Sequence, residues 1–324
     1  MKEVILAVSY RPEALVAAIA AHYQSADFVV KISVEDEPLG TAGPLGLARD
    51  MLLSNSDGSA TEAVFVLNSD VACEFHFEKL LNFHRESGAE GTIMTTPVDD
   101  PSKYGVVVSN KDGLIERFVE KPPTFVGNMI NAGLYLLSPA FLARIKPVPT
   151  SIERDVFPVV AAERKLFALE LPGFWMDVGQ PRDYLRGNQL YLKALSSERP
   201  EQLAHEKSHA DVHIRGRVLI HPTAKIAAGC DIGPDVVIGA DCVVGPGVRL
   251  ERCTLLQGVH VHKYALVRDA IVGWQSRVGA WARVIKFSVL GQDVAVGAEV
   301  NLAGTTVCPH KSVNSDCVEG TIII

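Results

Sequence analysis

Two aspartates that follow apolar segments are the side chains in this sequence best suited to hold a metal ion. Asp70 comes after the apolar run 64–67, and Asp177 comes after an apolar stretch that ends at Met176. A carboxylate at the carboxyl end of a strand can hold Mg²⁺ against the phosphates of a nucleotide. A loop aspartate that caps the next helix would leave the same pattern, so these residues alone leave both interpretations open.

Two further segments contain groups that could contact phosphate. Lys121 ends the segment FVEKP (118–122), in which Pro122 prevents a strand or helix from continuing. Its ammonium group could neutralise a phosphate, whereas lysine at a strand end is by default a solvated surface residue. The segment LGTAGP (39–44) is a glycine-bearing loop at the start of a helix, which would let a ligand approach the backbone closely. Many turns share that pattern, so it is weak evidence for binding.

Alternating strands and helices would position these side chains over the first 180 residues. A mixed sheet with helices is the architecture that this alternation predicts, and its ligands bind beyond the carboxyl ends of the strands. The predicted elements are strands at 4–8 and 63–67, a helix at 77–87 closed by Gly88, a hairpin of 104–109 with 114–119, and a helix from a Thr150–Glu153 capping box to about 164.

From about residue 212 the sequence follows a six-residue period, with a phase break near 260–264. This period fits neither a helix nor an ordinary strand and predicts a left-handed parallel β-helix of hexapeptide repeats, with the aliphatic residues inside. A β-sandwich would need Asn-Gly or Asp-Gly hairpin turns, which this region lacks. The repeating residues are Ile214, Ile220, Ile226, Ile232, Ile238, Val244 and Leu250, then Leu266, Val272, Val278, Val284, Leu290, Val296 and Leu302.

We predict three regions: a domain at 1–185, a helical connector at 186–211 and the β-helix at 212–324.

Composition limits the location and partners of the protein. Lys and Arg number 31 against 38 Asp and Glu, which speaks against a general nucleic-acid binder. The apolar stretches are too short to cross a membrane. The six cysteines form no CxxC pair, so we expect reduced thiols and a cytoplasmic protein.

Motifs along nearly the whole chain resemble those of one enzyme family. They are EDEPLGTAGPL (35–45), FVLNSD (65–70), KYGVVV (103–108), RFVEKP (117–122), INAGLYLLSP (130–139), TSIERDVFP (150–158) and GFWMDVGQP (173–181), with IVGW (271–274), SVLG (288–291) and CPHK (308–311) in the repeats. On these residues the sequence resembles the sugar-phosphate nucleotidyltransferases, and among them most closely those that act on mannose 1-phosphate and GTP.

The resemblance implies a single in-line displacement in a Rossmann-like domain. The phosphate of mannose 1-phosphate would attack the α-phosphorus of GTP, giving GDP-mannose and pyrophosphate. Asp70 and Asp177 would hold Mg²⁺, and Lys121 would bind the phosphate of the sugar. The remaining implied substrate contacts are Glu120 for the sugar hydroxyls, Asn131 and Gly133 for the sugar pocket with Gly105 beside it, and Leu39, Gly40 and Thr41 for the base and ribose.

At its amino-terminal end the sequence departs from the family pattern. The family motifs GGxGTRLxPLT and PKP, which belong to the first strand and a glycine-rich phosphate loop, are not found in it. We therefore expect a fold without that strand, and weak GTP binding and turnover. A misplaced gene start or alternative transcript would explain this departure, and so would a non-catalytic regulatory subunit.

The sequence alone leaves other functions open. A nucleotidyltransferase of different base or sugar specificity would share most of these motifs. A β-helix acyltransferase would use His260, His262 or His310 as a base. In the nucleotidyltransferase interpretation we expect a homo-oligomer, or association with a related regulatory subunit.

Overall fold

The computed structural model describes residues 3–9, 12–22, 28–54, 58–205 and 211–324. They form two compact units, one of Met1–Ser69 with Phe75–Pro172 and one of Asp70–Glu74 with Gly173–Ile324. The elements before the repeats are β1 (Glu3–Val8), α1 (Pro12–His22), β2 (Val29–Val34), α2 (Gly43–Leu47), α3 (Arg49–Leu53), β3 (Val64–Leu67), β4 (Val71–Cys73), α4 (Phe77–Ser87), β5 (Gly91–Pro97), β6 (Gly105–Ser109), β7 (Ile115–Glu120), β8 (Met129–Leu137), α5 (Pro139–Ala143), a π-helix (Ile152–Val156), α6 (Phe157–Ala162), β9 (Leu166–Glu170), β10 (Trp175–Asp177), α7 (Pro181–Glu198) and a 3₁₀-helix (Pro200–Gln202).

A mixed sheet forms the centre of the first unit. Its order is β7-β6-β8-β5-β9, with β3 also paired to β8, and β5 and β9 are its parallel pair. The predicted hairpin is present as β6 and β7, and the helix at 77–87 ends at Gly88 in the left-handed conformation. Phe141 and Phe157 are fully buried beside the sheet and pack in its core. The mixed α/β sheet predicted for this part of the chain is therefore confirmed.

The strands nearest the amino-terminal end form a separate pair. β1 and β2 are parallel and in register from Glu3 opposite Val29 to Val8 opposite Val34. Within the described part of the first unit, no strand pairing joins them to the larger sheet, and β3 is paired on one side, to β8. Among the described residues, β1 and β2 thus form a two-stranded parallel sheet of their own.

The helix predicted to start at a Thr150–Glu153 capping box starts differently. Ser151 is the N-cap, and its hydroxyl accepts a hydrogen bond from the Arg154 amide at 3.2 Å. The return bond runs from the Ser151 amide to Asp155 Oδ2 at 2.8 Å, because the first turn is a wide π-helix that brings the fourth residue after the cap into place. The capping-box prediction is therefore wrong.

A parallel β-solenoid of about six turns forms most of the second unit and confirms the predicted β-helix. Its strands are β11 (His213–Ile214), β12 (Val218–Ile220), β13 (Lys225–Ile226), β14 (Asp231–Ile232), β15 (Val236–Ile238), β16 (Val243–Val244), β17 (Arg249–Leu255), β18 (His260–Val261), β19 (Leu266–Val272), β20 (Arg277–Val278), β21 (Arg283–Ile285), β22 (Val289–Leu290), β23 (Ala295–Val296), β24 (Asn301–Ala303), β25 (Thr306–Val307), β26 (Ser312–Val313) and β27 (Ile322–Ile323). Ile226 lies opposite Val244, 18 residues further on, because one turn of the solenoid consists of three six-residue sides. The inward side chains form one continuous core.

One residue of the predicted repeat, Leu266, does not face the interior of the solenoid. Val267, and not Leu266, lies opposite Leu250 and is fully buried. The sides of the solenoid that run from Leu250 to Leu255 and from Val267 to Val272 each advance five residues between inward side chains, and each turns at a residue of positive φ. The phase break therefore lies at these short sides, before and after the predicted 260–264.

Helix α7 belongs to the second unit and covers part of the solenoid. Its buried Leu192 and Leu195 cluster with Leu203, and Leu219 and Val237 of the solenoid pack against them. Among the described residues, no helix combines the length and apolar character needed to cross a lipid bilayer.

Candidate active site

The predicted metal-binding aspartates lie together in the second unit. Asp70 directly precedes β4, Asp177 ends β10, and the two strands are antiparallel with Asp177 opposite Val71. The Val178 amide donates a hydrogen bond to the backbone oxygen of Asp70 at 2.7 Å, which continues this ladder past the strand ends. The short β4–β10 pair thereby brings the two carboxylates into the same place.

Gly179 leaves the space between these carboxylates free. A Cβ at Gly179 would lie 3.1 Å from Asp177 Oδ1 and 3.2 Å from Asp70 Oδ2, so both oxygens border the same small volume. The Gly179 amide also donates to Asp177 Oδ1 at 3.0 Å, which fixes the orientation of that carboxylate. Any side chain at position 179 would crowd the volume that a bound cation needs.

The donor set of this volume fits a hard divalent cation. Asp70 and Asp177 supply carboxylate oxygens, which Mg²⁺ prefers, and Mg²⁺ usually takes one or two carboxylates and completes its shell with water and substrate phosphates. In the described ranges, no group of three or more His, Cys, Asp or Glu residues could hold a metal ion by itself. The aspartate pair therefore fits a metal that arrives with, or is completed by, a phosphate ligand.

A second group of predicted residues surrounds the end of β7 in the first unit. Glu120 pairs with Gly105 of β6, and a Cβ at Gly105 would lie 2.8 Å from Glu120 Oε2 and 2.7 Å from Phe118 Cζ. Lys121 Nζ lies 3.5 Å from Glu120 Oε1 and is largely exposed. Lys121 has φ of 45°, a left-handed conformation that costs about 1–2 kcal/mol for a non-glycine residue and is concentrated at functional sites.

The carboxyl group of Glu120 is electrostatically perturbed. Partial burial raises the pKa of Glu120 above its usual value, and the negative charge of Glu153 raises the pKa further. Lys121 and Arg154 act in the opposite direction and lower the pKa. Hydrogen bonds from a ligand's hydroxyl groups would stabilise the charged form of this carboxylate.

Asn131 and Gly133 form a third group, on β8. Asn131 Nδ2 donates to the Tyr135 hydroxyl at 2.9 Å, and its Oδ1 accepts from the Gly133 amide at 3.0 Å. Gly133 has φ of 74°, and a Cβ there would meet Asn68 Nδ2 at 2.8 Å. The Asn131 amide keeps one N–H and one lone pair for a ligand.

Residues 39–42, which begin the glycine-bearing segment 39–44 and include Leu39, Gly40 and Thr41, form the fourth group. Gly40 has φ of 72°, and a Cβ there would lie 2.6 Å from the backbone oxygen of Thr150. The Ala42 amide donates to the same oxygen at 3.0 Å, and the Thr150 amide donates to the backbone oxygen of Leu39 at 3.0 Å. Contact with Thr150 is thus by itself sufficient to require glycine at position 40.

Glu153 is a residue that sequence reasoning placed in the wrong role. The hydroxyl of Thr41 donates to Glu153 Oε2 at 2.6 Å, and the Ser151 hydroxyl donates to the same oxygen at 2.9 Å. A capping box explained the glutamate locally, and no local signal indicates that its partner is 112 residues away. The predicted site residues therefore form four groups, three in the first unit and the aspartate pair in the second.

Comparisons with known proteins identify relatives over both units. The nucleotidyl transferase family matches residues 1–194, and the family described as the GMPPB C-terminal domain matches residues 214–323. A protein of Oryza sativa subsp. japonica named "Probable mannose-1-phosphate guanylyltransferase 2" is 53% identical over 99% of this chain and 87% of its own length. Mannose-1-phosphate guanylyltransferase 1 of Arabidopsis thaliana is 49% identical over the same shares. The mannose-1-phosphate guanylyltransferase catalytic subunit beta of Danio rerio is 49% identical over 100% of this chain and 88% of its own length.

Proposed function

Because this chain belongs to the mannose-1-phosphate guanylyltransferases, a family of nucleotidyl transferases, we propose that it transfers a guanylyl group from GTP to mannose 1-phosphate. The products are GDP-mannose and pyrophosphate. The structural observation that supports this reaction most strongly is that an oxygen of Asp70 and an oxygen of Asp177 both lie within 3.2 Å of the Cβ position of Gly179. Such a pair suits a reaction between two phosphorylated substrates, whose charges need a cation between them.

In this proposal Asp70 and Asp177 hold Mg²⁺. When bound, the ion would supply positive charge to the phosphates of the nucleotide. Asp177 is oriented for this role by the hydrogen bond from the Gly179 amide. Both carboxylates act as ligands and move no proton.

Lys121 and Glu120 bind the sugar phosphate. The ammonium of Lys121 is exposed and attracts the phosphate of mannose 1-phosphate, while Glu120 accepts hydrogen bonds from sugar hydroxyls. Asn131 offers its remaining N–H and lone pair to the sugar, and Gly133 and Gly105 keep side chains out of the pocket. Leu39, Gly40 and Thr41 contact the base and ribose.

The displacement itself needs no general base. An oxygen of the sugar phosphate, already ionised at neutral pH, forms a bond to the α-phosphorus of GTP as the bond from that phosphorus to the leaving pyrophosphate breaks. The contribution of the protein is to hold the two phosphates in line and to neutralise their charge. The remaining side chains therefore act by position and charge alone.

The test is release of pyrophosphate with Mg²⁺ and each pairing of GTP or ATP with mannose 1-phosphate or glucose 1-phosphate. We expect GTP with mannose 1-phosphate to be the best pair. Asp70→Asn should lower kcat about 100-fold or more, because it removes a charged metal ligand, and leave binding of mannose 1-phosphate within about 3-fold. Exposed Asp99, changed to Asn, is the matched control. Near-normal turnover by the Asp70→Asn variant would exclude Asp70 from the reaction.

We also propose self-association, or association with a related regulatory subunit, through the solenoid. Tyr264 and Trp281 stack at 4.5 Å between ring centroids, and both are about half exposed, as is Trp274. Exposed aromatic residues are enriched at protein interfaces. Sedimentation of the purified protein, alone and with Trp281→Arg, measures this association.

We place the protein in the cytoplasm on the state of its cysteines. All six are free thiols, and three of them, Cys230, Cys242 and Cys253, are buried. Burial raises the pKa of the Cys253 thiol to about 12, so that it stays protonated and unreactive. Buried thiols without disulfide partners suit a reducing compartment.

A further inference from the structure

Glu153 joins two segments of the first unit through side-chain hydrogen bonds. Its Oε2 accepts from the hydroxyl of Thr41 at 2.6 Å and from the hydroxyl of Ser151 at 2.9 Å. The Thr41 hydroxyl accepts in turn from the Ile152 amide at 2.9 Å. Thr41 is therefore held through both its proton and a lone pair by the first turn of the π-helix.

Backbone contacts between the same two segments support this connection. The Ala42 amide donates to the Thr150 oxygen, and the Thr150 amide donates to the Leu39 oxygen, both at 3.0 Å. Gly40 lies so close to Thr150 that a Cβ would approach its oxygen to 2.6 Å. The conformation of loop 39–42 is thus set by the segment that begins the π-helix.

The same turn and the residue after it also pack near the strands that carry Glu120 and Asn131. The charge of Glu153 raises the pKa of Glu120 on β7. Phe157, which follows the π-helix, packs against Phe118 of β7 and Tyr135 of β8 at 5.2 Å between ring centroids in each case. The turn that holds Thr41 is therefore anchored on the two strands that carry the proposed sugar contacts.

We propose that Glu153 is a positioning residue that fixes loop 39–42 against strands β7 and β8. It keeps the groups that contact the nucleotide and those that contact the sugar phosphate at a constant separation. A π-helix at its position fits this role, because π-helical turns are rare in proteins and those that occur lie frequently at functional sites. The roles of the two groups rest on the proposed function, whereas the fixing of the loop does not.

Two substitutions separate the hydrogen bonds of Glu153 from its charge. Glu153→Ala removes both, and we expect it to raise the KM for GTP at least 10-fold and to speed amide exchange in residues 39–48. Glu153→Gln keeps an oxygen that accepts from Thr41, so loop exchange should stay within about 2-fold of the original protein. Asp155→Asn is the matched control, because Asp155 caps the same turn without contacting Thr41.

A double-mutant cycle distinguishes positioning from general loss of structure. Thr41→Val removes the partner hydroxyl, and the double variant Thr41→Val with Glu153→Ala should raise the KM for GTP no more than either single change. Additive effects, or unchanged loop exchange in Glu153→Ala, would overturn the proposal. If the original protein does not turn over GTP and mannose 1-phosphate, the proposed function fails, and the exchange measurement still decides whether Glu153 fixes the loop.

Discussion

Replacing Gly40 by alanine should destabilise the first unit far more than the same change at Gly88. Both glycines have positive φ, 72° and 63°. The left-handed conformation alone costs alanine about 1 kcal/mol relative to glycine, and at Gly88 nothing lies within 4 Å of an added Cβ. Gly88→Ala should therefore lower the free energy of unfolding by about 1 kcal/mol.

At Gly40 the added Cβ would also lie 2.6 Å from the backbone oxygen of Thr150, so the loop must move away. That movement stretches the bonds from the Ala42 amide to Thr150 and from the Thr150 amide to Leu39. A backbone hydrogen bond contributes about 0.5–1.5 kcal/mol net. Adding the two bonds to the conformational cost, we expect Gly40→Ala to lower the free energy of unfolding by about 2–4 kcal/mol.

Amide hydrogen exchange of strand β5 is the assay, because β5 is buried at the centre of the first unit and its slowest amides report unfolding of that unit. Exchange in residues 39–48 should rise in Gly40→Ala and stay unchanged in Gly88→Ala. Equal losses of stability in the two variants, within about 0.5 kcal/mol, would refute the reasoning that contact with Thr150 requires glycine.

Two further predictions concern the sugar contact and the solenoid. Because burial and the charge of Glu153 raise the pKa of Glu120, the KM for mannose 1-phosphate should rise as pH falls toward and through that pKa, starting at a higher pH than for an ordinary glutamate. The pH profile of KM measures this, and the rise should flatten in Glu120→Gln, leaving only the titration of the substrate phosphate. Val267→Asp should unfold the solenoid or lower its melting temperature by about 10 °C or more, because it buries an unpaired charge. Leu266→Asp places the charge on the outer face and should be tolerated. The reverse result would restore the register that the six-residue period predicts.

The sequence predicts the solenoid because every turn needs aliphatic side chains at the same inward positions, which gives a regular period in the sequence. It misplaces Leu266 because adjacent Leu266 and Val267 are both aliphatic, and spacing alone cannot tell which one faces inward. Which of the two faces inward depends on the five-residue sides of the solenoid, where Arg252 and Asp269 adopt positive φ. Arginine does not mark such a corner, whereas aspartate, like asparagine, is enriched in that conformation.

Local patterns predicted two strands of the first unit, at 4–8 and 63–67, and its hairpin, but not the other strands or the long-range contacts. Gly40 and Gly43 lie in the glycine-bearing segment 39–44, and no local pattern predicts that a Cβ at either would lie 2.6 Å from a backbone oxygen of Thr150 or Val148. The pairing of Glu153 with Thr41 is likewise invisible locally, because a capping box already accounts for a glutamate at that position. Such assignments depend on which distant segments the fold brings together.

The aspartate pair also determines when its own site can exist during synthesis. Asp70 and β4 leave the ribosome about 100 residues before β10, and residues 75–172, which belong to the other unit, are synthesised in between. At roughly 5–20 residues per second, β4 waits about 5–20 s for its partner strand. The two carboxylates cannot come together until that wait ends. The metal site proposed for Asp70 and Asp177 would accordingly form late in synthesis, and a chain that ends before Trp175 has Asp70 without Asp177.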